Sequence, residues 1–197
     1  MLQCGQLVRV LGSKVSFPGN PAYVTTQNSY FSLQEAALSP ACIVVPGSSQ
    51  DVSAAITIIS GNENCHFAIK GQTHAPAAGF ANINAGVTID MTSLNSITVN
   101  ADHTVASIGG GASWLDVYTY LDSLGLAVAG GRNGAVGVGG LTLGGGISYF
   151  APQVGWACDN VVNFEVNAQV QFLGFSADIS DRPSIRKTRQ RQRNLLA

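Results

Sequence analysis

Two stretches of this 197-residue chain carry residues suited to holding a large polar ligand. In the first, Gly130 to Gly146, nine of the seventeen residues are glycine and Arg132 is the only charge. Lacking a Cβ, such a run brings backbone N–H groups close to a flat or anionic ligand and accepts positive φ without strain. A flexible linker would be Gly/Ser-rich and polar. Here the spacers Val136, Val138, Leu141 and Leu143 are apolar, so the run is expected to be buried and to hold something bulky. The alternative is a structural turn in which glycine serves packing alone. The second stretch, Gly71-Gln72-Thr73-His74-Ala75-Pro76-Ala77-Ala78-Gly79, sets an imidazole among small residues. A neutral imidazole nitrogen is a nucleophile near neutral pH; otherwise His74 is a loop histidine bonded to backbone.

These stretches need elements to position them. Cys42-Ile43-Val44-Val45 reads as a short buried strand that Pro46 ends. Ser48 and Ser49 are N-cap candidates for a helix whose apolar face is Val52, Ala55, Ile56 and Ile59, and Gly61-Asn62 ends it. His66 to Lys70 reads as a second buried strand, which puts the His74 loop at a strand's carboxyl end, where α/β sheets bind ligands. Val87 to Asp90 forms another strand. Ser96 to Val99 and Thr104 to Ile108 alternate around Asn100 to His103 as in a hairpin. Ser113, with Asp116 three residues on, caps a helix faced by Trp114, Val117, Tyr118 and Leu121 and stopped at Gly125. A short strand from Leu126 to Ala129 then leads into the glycine run, and Val161 to Val166 alternates like a half-buried strand.

Composition narrows the function classes. With 46% hydrophobic and 11% charged residues the chain should be globular. No apolar run reaches the eighteen or so residues of a transmembrane helix. Residues 1–181 hold four basic residues against all eleven acidic ones, a net of −7; the other six basic residues fall in the last sixteen positions. That balance argues against nucleic acid as a partner, although Arg189-Gln190-Arg191-Gln192-Arg193 is basic. The N-terminus shows no charged leader followed by an apolar core. Cys4, Cys42, Cys65 and Cys158 contain no Cys-x-x-Cys pair, so no zinc site is expected, and one or two disulfides of unassigned connectivity are possible. Neither Gly-x-Gly-x-x-Gly nor Gly-x4-Gly-Lys-Ser/Thr occurs, which sets Rossmann and P-loop nucleotide sites last.

Four ordered motifs then carry a resemblance: Ile69-Lys70-Gly71-Gln72-Thr73-His74, Val87-Thr88-Ile89-Asp90, Gly137 to Gly146, and Cys158-Asp159-Asn160-Val161-Val162. Together, over residues 38 to 166, they resemble the FAD-linked oxidoreductases with a PCMH-type FAD-binding domain, the vanillyl-alcohol oxidase and berberine-bridge-enzyme-like group, especially its fungal members. The resemblance implies an α+β fold of two small sheets with helices. It also implies FAD as cofactor, with the pyrophosphate in the loop after the second strand and the isoalloxazine near the glycine run.

By the same resemblance, the first cofactor contacts are Lys70, Gly71, Gln72, Thr73, His74, Ala75 and Gly79. The second set is Gly137, Gly139, Gly140, Thr142, Gly144, Gly145 and Gly146, joined by Asp159 and Val161. His74 corresponds to the histidine that bonds the flavin 8α carbon. The cysteine that some members use for a second attachment aligns with Asn133, so one covalent bond at most is expected. The family usually has two glycines where this chain has Gln72 and Thr73. If either position needs φ above zero, a side chain there costs about 1–2 kcal/mol.

The domain expectation follows: an irregular segment over 1–37, an FAD-binding domain over 38–173 that is incomplete at its C-terminal end, and a basic, disordered tail over 174–197. From about residue 167 the chain departs from the family pattern and reads as a foreign end, with the substrate domain missing. The expected function is that of a flavin-dependent oxidase or dehydrogenase of an alcohol, sugar or amine, present as its FAD-domain fragment. It would use a small-molecule substrate and oxygen or another electron acceptor, with no nucleic acid and no membrane. The alternative is a non-catalytic remnant that binds FAD weakly or not at all. No catalytic residue can be named.

Overall fold

The structure, a computed structural model, describes residues 2–61 and 64–167 and the backbone of 185–187. The chain divides into two compact units, the first holding residues 1–95 with 165–176 and the second 96–164 with 177–197.

In the first unit, residues 2–36 carry helices and a short strand, where irregular chain was expected. Helix α1 (Leu2–Leu11) leads to strand β1 (Val15–Ser16), then to helices α2 (Pro21–Gln27) and α3 (Leu33–Ala36). Pro21 at the first turn of α2 suits a position whose N–H has no helical partner. Strands β2 (Cys42–Val44), β3 (Phe67–Lys70) and β4 (Val87–Asp90) join β1 in one sheet of order β1-β2-β4-β3. β1 is antiparallel to β2, and the other pairs are parallel.

Helix α4 (Ser49–Ser60) links β2 to β3, so the expected strand–helix–strand unit is present, with β4 inserted between its two strands. Ser48 caps α4 by accepting the Asp51 N–H at 3.2 Å. The buried Val52, Ala55 and Ile59 fall on one helical face, with Ile56 at its partly covered edge. Ala55 and Ile59 pack with Leu7 and Leu11 of α1 and with the central strands, and Cys4 is disulfide-bonded to Cys42. The disulfide and Leu7 explain why the N-terminal segment belongs to this core. Cys65 and Cys158 are free thiols.

In the second unit, β5 (Ile97–Val99) and β6 (Ala106–Ile108) form the expected antiparallel hairpin. The Asn100 side chain, accepting from the N–H groups of Thr104 and Val105, shapes its turn, and His103 takes φ 58°. Helix α5 (Trp114–Ser123) is capped by Ser113, which accepts the Asp116 N–H, and Gly125 at φ 65° follows it. Trp114, Val117 and Leu121 bury against the hairpin and strand β7 (Leu126–Val128). β7 pairs antiparallel with β8 (Ile185–Lys187). Helices α6 (Val138–Leu143) and α7 (Ala151–Val154) follow β7, and Cys158–Asn160 form a 3₁₀ turn. Residues 161–167 carry no strand, in contrast to the expectation from their alternation. Apart from the backbone of β8, the basic end lies outside the described residues.

Candidate functional site

The His74 loop leaves the carboxyl end of the edge strand β3. Its shape is set by the chain between α2 and α3, which the sequence reading did not connect with it. Thr73 adopts φ 61° and is buried; its Oγ1 donates to the Ser29 carbonyl at 3.0 Å and accepts the Phe31 N–H at 3.2 Å. Ser32 caps α3 and donates to the Pro76 carbonyl at 2.9 Å. Glu35, fully buried, accepts the N–H groups of Gly79, Phe80 and Ala81 at 3.3, 2.9 and 2.7 Å. Three amides converging on one carboxylate fix the far end of the loop. Tyr30 Oη reaches the Ala81 carbonyl at 2.8 Å, and burial with the neighbouring carboxylates of Asp90 and Glu35 pushes its phenol above the ordinary tyrosine range.

Between these anchors His74 is exposed and stacks on Phe31, with centroids 5.3 Å apart and planes 11° from parallel. Gly71, Gln72 and Ala75 are half-buried beside it, and Gly79 is exposed at φ 91°. The Lys70 ammonium is buried 3.0 Å from Asp90 Oδ2 and donates to the Gly71 carbonyl at 3.4 Å. Asp90 also accepts from Thr26 Oγ1 at 3.2 Å and Thr92 Oγ1 at 2.7 Å, so the pair is embedded in hydrogen bonds.

In the second unit the glycine run lies along the start of α5. Trp114 N–H donates to the Val136 carbonyl at 3.0 Å, Leu115 N–H to Gly134 at 2.9 Å, and Val138 N–H to Ala112 at 2.9 Å. Gly137 is buried and paired with Ser113 in an isolated antiparallel bridge. Most of the run's glycines answer to packing. A Cβ on Gly130 would lie 2.1 Å from the Trp114 ring, on Gly139 2.9 Å from the Gly110 carbonyl, on Gly145 2.5 Å from the Trp156 ring, and on Gly146 2.4 Å from Leu141.

The N–H groups of Gly144 and Gly145 donate to the carbonyls of Gly140 and Thr142 at 3.1 Å each. Both of these N–H groups are therefore taken by the chain itself. Gly140 differs, since a Cβ there would meet nothing within 4 Å. Thr142 is buried within α6. Asp159 accepts the Trp156 N–H at 2.8 Å, closing its own turn, and the half-buried Val161 donates its N–H to Cys158 at 3.3 Å.

Phe31, Glu35 and Asp90 were missed as supports of the site. One signal was legible: Ser32-Leu33-Gln34-Glu35 has the spacing of a capping box. In the structure the Glu35 carboxylate turns to residues 79–81, a contact no local pattern encodes. Among the described residues no group of three or more His, Cys, Asp or Glu could hold a metal ion, and no helix is long and apolar enough to cross a membrane.

Comparison with known proteins places these features. The family model for an FAD binding domain matches residues 40–168. An uncharacterized FAD-linked oxidoreductase of Arthroderma benhamiae is 42% identical over 155 residues, covering 79% of this chain and 31% of that protein. The FAD-dependent monooxygenase tpcD of Cochliobolus heterostrophus is 44% identical over 137 residues, 70% of this chain and 26% of its own length. The chain thus spans about a third or less of these relatives. The crystal structure of 6-hydroxy-D-nicotine oxidase from Arthrobacter nicotinovorans superposes with a TM-score of 0.70 at 26% identity, over 77% of this chain and 32% of that one. Glucooligosaccharide oxidase from Acremonium strictum, whose flavin is a 6-S-cysteinyl, 8α-N1-histidyl FAD, shares the fold with a TM-score of 0.70 at 24% identity, over 80% of this chain and 33% of its own. With its mixed helix-and-sheet fold and a family match over most of its length, this chain belongs to the FAD-linked oxidoreductases with a PCMH-type FAD-binding domain.

Proposed function

We propose that this chain is the FAD-binding part of a flavin-dependent oxidoreductase acting on an alcohol, sugar or amine, and that His74 is its single covalent attachment point. The observation that carries the reading is the His74 loop. It is pinned at Thr73, Pro76 and Gly79 to Ala81, yet it presents an exposed imidazole beside uncovered backbone. The fit to FAD is supported by free space: a Cβ added at Gly71 or Gly79 would meet nothing within 4 Å. A flat cofactor needs such uncovered main chain. Asn133, where a cysteine would supply a second bond, has no thiol, and its carboxamide oxygen accepts the Ala135 N–H at 2.9 Å.

When bound, FAD would supply the hydride acceptance and would pass the electrons on to an external acceptor. This chain's residues bind and orient. In the reading proposed here, backbone at Gly71 and Gly79 meets the polar part of the cofactor, Thr73 holds the loop's left-handed turn, and His74 supplies the nucleophilic nitrogen. A small-molecule substrate and an acceptor such as oxygen belong to the same proposal.

The competing reading, a remnant with weak or no FAD affinity, draws on the apolar residues exposed in the second unit, among them Leu143, Ile147, Tyr149 and Trp156. One experiment decides. The 197-residue chain is incubated with FAD, denatured in acid, and inspected for yellow colour retained on the polypeptide. Retained flavin that vanishes in His74→Ala supports covalent attachment. Flavin released by acid leaves a dissociable FAD domain, and no flavin at any stage selects the remnant.

A further inference from the structure

Phe31 is an aromatic residue left 69% exposed, and its ring lies against the exposed imidazole of His74. An exposed ring of this size adds little to a core, so folding alone gives no account of it. Its surroundings are nevertheless constrained. The Phe31 N–H donates to Thr73 Oγ1 at 3.2 Å, the preceding Ser29–Tyr30 segment is tied through the Ser29 carbonyl to the same hydroxyl at 3.0 Å, and the following residue, Ser32, bonds the Pro76 carbonyl at 2.9 Å. The two loops are therefore laced together on both sides of His74, by two bonds at the residue before it and one two residues after it. A centroid separation of 5.3 Å with planes 11° from parallel is an offset stack.

We propose that Phe31 is a positioning residue for His74. Its ring fixes the plane of the imidazole so that a ring nitrogen is presented edge-on for attachment to the flavin 8α carbon. The inference rests on the reading that His74 is the attachment point. In that attachment a bond forms between an imidazole nitrogen and the 8α carbon, while one C–H bond at that carbon and the imidazole N–H bond break. The two hydrogens leave as protons with one electron pair, which the isoalloxazine takes up and passes to dioxygen, yielding hydrogen peroxide. The step requires the nitrogen lone pair, which lies in the imidazole plane, to point at the carbon. An exposed histidine free to turn about both side-chain bonds holds that direction only part of the time, and Phe31 removes that freedom.

The test uses the full 197-residue chain with FAD added in air, following acid-stable flavin over time together with the equilibrium affinity for FAD. Phe31→Ala is expected to slow attachment by about tenfold or more at saturating FAD, because misorientation of a reacting group is costly. The FAD dissociation constant should change by less than about threefold, under 1 kcal/mol. Phe31→Leu, which keeps apolar bulk without a stacking face, should behave like Phe31→Ala, and Phe31→Trp should restore the rate. Attachment at the wild-type rate in Phe31→Ala would overturn the proposal, as would a slowing matched by equal loss of FAD affinity, or failure of Phe31→Trp to rescue. A wild-type chain that forms no acid-stable flavin removes the attachment reading itself and the positioning role with it.

Discussion

The ammonium of Lys70 lies 3.0 Å from the carboxylate of Asp90, with side-chain exposures of 3% and 4%. The two residues face each other in register on β3 and β4, so the pair spans the edge of the sheet from which the His74 loop departs. Removing one partner strands a buried charge, which typically costs about 3–5 kcal/mol, more than the net worth of the pair itself. Lys70→Met and Asp90→Asn should each lower stability by that order in urea unfolding. A double variant with apolar replacements should recover much of the loss. A double-variant loss equal to the sum of the two single losses would show that the pair's charges do not depend on each other.

Thr73 holds φ 61° while making two hydrogen bonds to the Ser29–Phe31 segment. Left-handed backbone costs a non-glycine residue about 1–2 kcal/mol, and each neutral hydrogen bond contributes about 0.5–1.5 kcal/mol. Thr73→Gly gives up the bonds and relieves the strain, so its stability should stay within about 1 kcal/mol of wild type. Thr73→Ala keeps the strain and loses the bonds, and should be the less stable of the two by about 1 kcal/mol or more. Thermal unfolding of both variants gives the order directly.

Two glycines of the same run should respond in opposite ways. Gly130→Ala drives a methyl group into the Trp114 ring, 2.1 Å away, and should destabilise the chain by about 1–3 kcal/mol. Gly140→Ala sits in α6 with open space around it and should be neutral or stabilising by up to about 1 kcal/mol without flavin. Urea unfolding of the two variants beside wild type checks the contrast.

Tyr118 donates its hydroxyl to the Gly131 carbonyl at 2.5 Å, and burial pushes its phenol up to about 12. The folded state thus resists ionisation that the unfolded chain undergoes near the ordinary value of 10.0. Stability from this group is complete below that value and is lost as pH rises through it towards about 12. Tyr118→Phe should reduce stability at neutral pH and flatten the alkaline loss. Unfolding curves from neutral pH to beyond the tyrosine range, with tyrosinate absorbance read in parallel, check both.

The sequence by itself determined the local elements and the family. Periodicity placed α4 and α5 with their serine caps, the hairpin around Asn100 to His103, and the strands that flank the His74 loop, because these depend on neighbours a few residues apart. Four ordered motifs then identified an FAD-binding domain. Tertiary structure decided what each residue is for. Lys70 is joined to Asp90, twenty residues away, by a buried ion pair that no local pattern announces. The glycines of the run are set against Trp114, Gly110 and Trp156, neighbours that composition alone does not name. Glu35 and Phe31 act on a loop more than forty residues downstream. Hydrophobic spacing and turn chemistry are written locally, whereas a buried charge or a stacked ring takes its meaning from partners that only folding brings within a few ångströms.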